Sequence, residues 1–302
     1  MLFVATAGLL TACSSDDDNT IGGDVQAPAE TPRLITVEVS EQPFDDTQGK
    51  ARQTRADATT TETLSSFSMH GVYESQSTDY TVSKSGDTWT VDPNSWPGGT
   101  DNNGETPFYA HTHGTFNLNS GTPYVRFMIQ ENASDQYDLL VAQNSATYNN
   151  SKGTGNVSLR FKHACAAVAF NVQITNTLSG KLTNGTLTVN SIVLRNVYND
   201  GKYYFGSGWQ DVNYEKVNGQ EKKANYTLSN SNITVGTGLQ ALSSNDIFII
   251  PQERIANGTN DMYLEIKYSG KTEPAIIPLD VDWQAGYKYT IDIKLGTSLI
   301  NV

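Results

Sequence analysis

The sequence predicts an all-β protein, and three observations lead to this fold class. Apolar and polar residues alternate with a period of two along most of the chain, and no stretch shows a convincing helical period. Asn-Gly, Ser-Gly and Pro-Gly turns separate the alternating runs. Only 17% of the 302 residues are charged, so the polarity comes from Ser, Thr and Asn, which favour strands and turns over helix interiors.

The first predicted strand spans residues 34–40, where Ile35, Val37 and Val39 share one face. Further strands of the first half follow the same alternation. Their inward residues are expected to be Phe67, Met69 and Tyr73; Val125, Phe127 and Ile129; Tyr137, Leu139 and Val141; and Val157, Leu159 and Phe161.

The second half starts near His163 with a long strand that runs to Ile174 and is small on both faces at its start. Later strand candidates are residues 187–189, 192–194, 247–250, 262–268 and 287–295. We therefore expect two tandem antiparallel β-sandwich domains, one over residues 34–162 and one over residues 163–302.

Residues 1–12 are typical of a signal peptide. Their apolar run is shorter than the ~20 residues that span a bilayer, and Leu10-Thr11-Ala12-Cys13 resembles the bacterial lipobox, whose Cys is acylated after cleavage. No Lys or Arg precedes the run, so we expect the natural start to lie upstream. The alternative, a buried or disulfide-forming Cys13, conflicts with its acidic neighbours; acylation would leave Cys165 as a single structural thiol.

Residues 13–33 are predicted to form a flexible linker, because Gly22-Gly23, Pro28 and Pro32 interrupt any periodicity. The acidic run at its start resembles a surface export signal of lipoproteins, and a solvated linker explains the charges equally well. The net charge is −12, and the sequence has no basic stripe of the kind that binding to a phosphate backbone requires. We therefore expect no nucleic acid partner.

Candidate catalytic and metal-binding residues are few. His111 and His113 form the one histidine cluster, and without a carboxylate or Cys at ligand spacing we expect an exposed pair at a strand end. Cys165 beside His163 is expected to be a small core residue rather than a nucleophile. We predict no enzyme, no metal and no cofactor, although a sequence-distant pair of glycosidase carboxylates would leave no trace.

Several segments together resemble the fimbrillin family, the subunits of type V pili. Their order and spacing over nearly the whole mature chain make the resemblance specific. The segments are the lipobox at Cys13, Thr54-Arg55-Ala56, Ser95-Trp96-Pro97, Pro107-Phe108-Tyr109-Ala110, residues 136–142, residues 159–164, Ile249-Ile250-Pro251-Gln252 and residues 283–289.

The resemblance implies two transthyretin-like sandwiches and a maturation step. Family members are secreted as lipoproteins to the outer membrane, and an Arg-specific protease then removes the lipid together with the first strand. Here the matching cut lies between Arg55 and Ala56, with Arg52 and Arg33 as alternatives. Loss of Ile35, Val37 and Val39 would leave a groove for the strand of another pilus subunit, which is head-to-tail assembly by donor-strand exchange.

The resemblance leaves the position in the pilus open. Seven residues follow Leu295, a short donor strand, so we expect a tip or accessory subunit, with rearrangement of the last strand or a lipid-retaining anchor as alternatives. A surface glycan-binding lipoprotein is the alternative function, because Trp89, Trp96 or Trp209 would stack on sugars of host or bacterial surfaces if exposed. A secreted hydrolase is the third candidate function.

Overall fold

The computed structural model describes residues 33–45, 64–118, 122–212, 216–217, 220–221, 223–242, 246–252, 262–279 and 281–300. These residues form 22 strands, one short α-helix, α1 (Asn176–Ser179), and two 3₁₀ turns, Gly99–Asp101 and Ala133–Asp135. The strands are β1 (Leu34–Glu41), β2 (Ser66–Tyr73), β3 (Gln76–Ser85), β4 (Thr88–Asp92), β5 (Glu105–His111), β6 (Thr115–Asn117), β7 (Tyr124–Met128), β8 (Leu140–Thr147), β9 (Thr154–His163), β10 (Ala166–Ile174), β11 (Leu187–Val197), β12 (Asp200–Tyr204), β13 (Gly208–Gln210), β14 (Lys216–Val217), β15 (Gln220–Glu221), β16 (Ala224–Ser229), β17 (Ile233–Val235), β18 (Gln240–Ala241), β19 (Ile247–Ile249), β20 (Tyr263–Tyr268), β21 (Ala275–Pro278) and β22 (Lys288–Leu295).

The first hydrophobic core lies inside a seven-stranded sheet with the strand order β1-β9-β8-β5-β2-β3-β4. The sheet curls so that its two edge strands, β1 and β4, approach each other. Alternate residues of each strand face inward, as their period of two predicts. The enclosed side chains include Ile35, Phe67, Met69, Phe108, Val157, Leu159 and Phe161.

The second hydrophobic core lies between two further sheets. One is built around β10, with β18, β19 and β22 as its partners, and the other has the order β16-β11-β20-β21 with β17 also on β11. β10 and β11 each supply more buried residues to this core than any other strand. Thr175 caps α1, which follows β10, by accepting a hydrogen bond from the Leu178 N–H at 3.2 Å.

β9 and β10 follow each other almost without interruption and form a spine shared by both cores. β1 runs parallel to β9, and β22 runs parallel to β10. Beyond β1, Asp45 meets Tyr287 in a parallel bridge, so the N-terminal strand is continued to the beginning of β22.

The all-β fold class is confirmed, and most ladders are antiparallel, with β1–β9 and β10–β22 as parallel pairs. One predicted inward residue was wrong: Tyr137 is 60% exposed and precedes β8, which begins at Leu140, whereas Leu139 and Val141 are buried as expected. Pro32–Val302 forms one compact unit. A four-stranded sheet combines β6 and β7, which precede the predicted domain boundary at residue 162, with β12 and β13, which follow it. The tandem division at that residue therefore stays a prediction.

Candidate functional site

The candidate site is the groove at the sheet edge that β1 occupies. β1 pairs with β9 over its whole length, from Leu34 opposite Thr154 to Glu41 opposite Phe161. Ile35 is 2% exposed in the first core, and Val37 and Val39 pack half-buried against it. The three residues predicted to share a face therefore do share it and point into the protein.

The beginning of β1 is held by the loop after β4. The Trp96 N–H donates to the Arg33 carbonyl at 2.7 Å, and the Asn94 side chain accepts a hydrogen bond from the Ile35 N–H at 3.0 Å. The Arg33 guanidinium donates to the Asn102 carbonyl at 2.7 Å and lies over the Tyr148 ring. Both the backbone at the start of β1 and the side chain of Arg33 are thus held by hydrogen bonds to the rest of the protein.

The outward face of β1 makes polar contacts at the protein surface through Glu38. Glu38 accepts hydrogen bonds from the Asn156 amide and the Ser158 hydroxyl, each at 3.0 Å. These contacts are exposed, so water can replace them at little cost. The groove therefore recognises its strand mainly through backbone pairing and the inward side chains.

The end of β1 reaches a buried cluster of ionisable groups. Glu41 Oε1 lies 3.0 Å from His163 Nε2, and the other ring nitrogen of His163 contacts Asp138. Phe44 stacks on the His163 ring at a centroid distance of 3.6 Å. Burial raises the pKa of Asp138, while the contact with His163 acts in the opposite direction.

Sequence reasoning missed this cluster. Its one available signal was parity: Glu41 follows Ile35, Val37 and Val39 on the same face of the strand, where a carboxylate needs a buried partner. His163 and Asp138 come from β9 and from the segment before β8, and nothing local in the sequence links them to residue 41.

The chain continues from β1 towards the second core. The Gln42 N–H donates to the Phe161 carbonyl at 2.8 Å, and the Asp45 N–H donates to the Gly286 carbonyl at 2.7 Å. Lys288 in turn donates its N–H to the Asp45 carbonyl at 3.1 Å. The predicted sites Cys13, Arg55 and Ala56 lie outside the described residues.

The histidine cluster differs from the expectation. His111 is buried, not exposed, because its Nε2 meets Nε2 of His70 at 3.0 Å under the stacked ring of Phe116. Burial, with the neighbouring His70, lowers the pKa of His111 to about 4. Within the part of the chain that the structure describes, no group of three or more His, Cys, Asp or Glu is placed to hold a metal ion.

The remaining candidate residues are mostly structural. Cys165 is free and fully buried in the second core, as expected of a small core residue, and burial raises the pKa of its thiol well above the ordinary value. Trp96 is 2% exposed, so it offers no open ring face for a sugar, and Trp89 packs half-buried against Phe67.

One cavity of about 740 Å³ adjoins the end of the β1 segment. Gln42 and Pro43 line one side of it, and half-buried Trp209 and the polar side chain of Gln252 line another. Trp209, one of the three tryptophans singled out above, thus borders this cavity.

The fold and this edge groove define an all-β protein of packed, mostly antiparallel sheets with an N-terminal strand that completes its first core. The chain belongs to the fimbrillin-like family, whose model matches residues 46–302. The match begins directly after Asp45, so β1 lies outside it. This membership supports a structural subunit of a cell-surface pilus or adhesin rather than an enzyme.

Solved structures share the fold. A candidate cell adhesion protein from Bacteroides ovatus has a TM-score of 0.52 at 15% identity, with 87% of this chain and 92% of that chain covered. One from Parabacteroides distasonis has a TM-score of 0.55 at 9% identity, with 90% and 91% covered, and one from Bacteroides eggerthii has 0.54 at 13%, with 88% and 86% covered. No curated protein matches the chain.

Among the residues that the structure describes, no helix has the length and apolar character needed to cross a bilayer.

Proposed function

We propose that this chain is a pilus subunit whose N-terminal strand is a temporary occupant of the first core. The precursor is a lipoprotein, acylated at Cys13 and held at the outer membrane, where two or more acyl chains give stable anchoring. An Arg-specific protease then cuts between Arg55 and Ala56 and releases the lipid and β1 together.

One observation carries this proposal. β1 fills the first core with Ile35, yet its covalent link to β2 runs only through residues 46–63, which contain Arg55. A single cut there leaves β1 attached by non-covalent contacts alone. Arg33, the earlier alternative, is bound through its guanidinium to the Asn102 carbonyl, which argues against a cut at Arg33.

Release of β1 creates a binding site for another strand. β9 lies between β1 and β8 in the sheet, and it pairs with β8 through Leu140 opposite His163 and Val141 opposite Lys162. Because β1 supplies the backbone partners on the other side of β9, loss of β1 would leave that edge of β9 unpaired. The vacated positions of Ile35, Val37 and Val39 would expose apolar surface. A strand of a neighbouring subunit would pair with the edge of β9 and cover the apolar surface, and head-to-tail repetition of this contact gives a filament.

Protease treatment tests the proposal. The Cys13→Ser chain, treated with an Arg-specific protease, should lose the mass up to and including residue 55 and then form polymers or accept strands of other subunits. Arg55→Ala should keep its mass and stay monomeric, while Arg52→Ala serves as the matched control and behaves like the parent. Polymer formation by Arg55→Ala with an intact N-terminal segment would contradict the proposal.

Binding of a surface glycan is the second candidate function. The cavity beside Trp209 favours it, because an aromatic ring next to polar side chains is a common arrangement for sugar contact. Trp209→Ala should abolish binding on a glycan array and Trp89→Ala should preserve it; no binding by the parent chain excludes this role.

A further inference from the structure

The last inward residue of β1 is a carboxylate, and it is buried. The side chains of Glu41, His163 and Asp138 are 8%, 2% and 0% exposed, and the two carboxylates lie on the two ring nitrogens of His163. Phe44 stacks on the face of the ring. Three apolar positions, Ile35, Val37 and Val39, thus precede one polar position on the same face.

Proton counting shows that His163 needs a polar partner at the Glu41 position. An ionised carboxylate only accepts hydrogen bonds, so two contacts among these three groups require two protons. Either His163 is charged between two carboxylates, or it is neutral with one carboxyl protonated. In both cases Nε2 loses its hydrogen-bond partner when Glu41 leaves, while Asp138 stays on the retained part of the chain.

An occupant with an apolar side chain at this position would bury Nε2 without a partner. An unsatisfied buried polar group weakens an interaction by roughly 10- to 100-fold. A strand shifted by two residues meets the same obstacle, because it places an apolar residue against His163 or a carboxylate in the apolar core. The cluster therefore discriminates both sequence and register.

We infer that the groove selects a partner strand that pairs parallel to β9 and carries three alternate apolar residues followed, two positions later, by an inward carboxylate. This inference rests on the proposed function, since it concerns the groove after β1 has left. The occupant is the strand of another subunit, and Glu41 shows the chemistry that this strand must reproduce.

The chain itself provides a matched comparison. In residues 290–301, Ile291, Ile293 and Leu295 reproduce the spacing of the apolar positions of β1, but Thr297 stands where Glu41 would be. Thr is shorter than Glu and uncharged. A second copy's segment of this sequence thus fits the apolar part of the groove and lacks the carboxylate.

The first measurement uses the intact chain and needs no cleavage. Amide hydrogen exchange of β1 should be about tenfold faster in Glu41→Leu than in the parent. Glu38→Leu is the matched control, because Glu38 is exposed on the opposite face, and its exchange should change by less than about twofold. Equal exchange in the two variants would overturn the inference.

The second measurement uses the protease-treated chain and labelled peptides, with affinity read by fluorescence polarisation. The peptide of residues 34–45 should bind roughly 10- to 100-fold more tightly than its Glu41→Leu form, and the Glu38→Leu form should match the parent. The peptide of residues 290–301 should gain affinity about tenfold on Thr297→Glu.

The outcomes separate the two proposals. A cleaved chain that keeps residues 34–45 bound and takes up no peptide contradicts the proposed function, and the partner claim falls with it. A chain that releases the segment and binds the Glu41→Leu and Glu38→Leu peptides equally contradicts this inference alone.

Discussion

Trp96 lies directly over Gly155, the residue that pairs with Ile35 in the parallel ladder. A Cβ on Gly155 would overlap the indole ring. The ring is fixed on its other sides by Phe108 and Tyr148, at centroid distances of 5.2 and 5.8 Å. The absence of a side chain at residue 155 is therefore what lets the loop after β4 close over the start of the groove.

Gly155→Ala should lower the free energy of unfolding by about 1–3 kcal/mol, because Trp96 has no room to move aside. Chemical denaturation measures the change. Gly104→Ala is the matched control, since the nearest atom to its new Cβ is 3.9 Å away, and it should be close to neutral. Equal stability of the two variants would show that the indole ring is not confined.

Ile35→Ala should weaken the attachment of β1 by about 2–5 kcal/mol, because it leaves a cavity in the first core. Hydrogen exchange of residues 34–41 should report this as faster local opening. Leu34→Ala removes a side chain that is 44% exposed and should change the exchange by little. If Leu34→Ala had the larger effect, the inward face of β1 would be assigned wrongly.

The free energy of unfolding should decrease as the pH is lowered from 6.5 to 4, because His111 must then be buried in its neutral form while the unfolded chain takes up a proton. Its pKa is about 4 in the folded protein against 6.5 when unperturbed, so the unfolded chain binds more protons within this window. At ~1.4 kcal/mol per unit of pKa the loss is at most about 3.5 kcal/mol. Asp138, whose pKa is raised, acts in the opposite sense.

The His111→Gln variant isolates this contribution. Its stability in urea should depend less on pH than that of the parent, whereas His113→Gln, altered at a half-buried position, should keep most of the dependence. Identical pH profiles for the parent and His111→Gln would exclude His111 as the source.

Cys165 should be inert towards thiol reagents in the folded protein. The thiol is fully buried, and burial and the nearby Asp138 raise its pKa, so little thiolate forms and no reagent reaches it. In Cys13→Ser, which leaves one cysteine, a colorimetric thiol reagent should react only after denaturation. Rapid reaction of the native protein would contradict the buried position.

The inward faces of several strands were predictable from the sequence. Ile35, Val157 and Phe161 lie on buried faces because an alternation of period two has one physical solution when one side of a sheet is covered. The parallel pairing of β1 with β9 was not predictable, since parallel and antiparallel strands show the same alternation and their partners are distant in sequence.

The candidate site was predictable only in part. The apolar face of β1 was visible in the sequence, but the Glu41–His163 contact depends on how β9 places its last residue. His111 was expected at the surface because a His pair at a strand end gives no sign of a third His on the neighbouring strand; His70 supplies it and makes burial tolerable.

The central claim, that β1 is removed during maturation, is tested most directly by sequencing the N-terminus of the mature protein from the cell surface. The account predicts that the mature chain begins at Ala56 and that the segment containing β1 is absent. A mature chain that begins at an acylated Cys13 and retains Ile35 would contradict it.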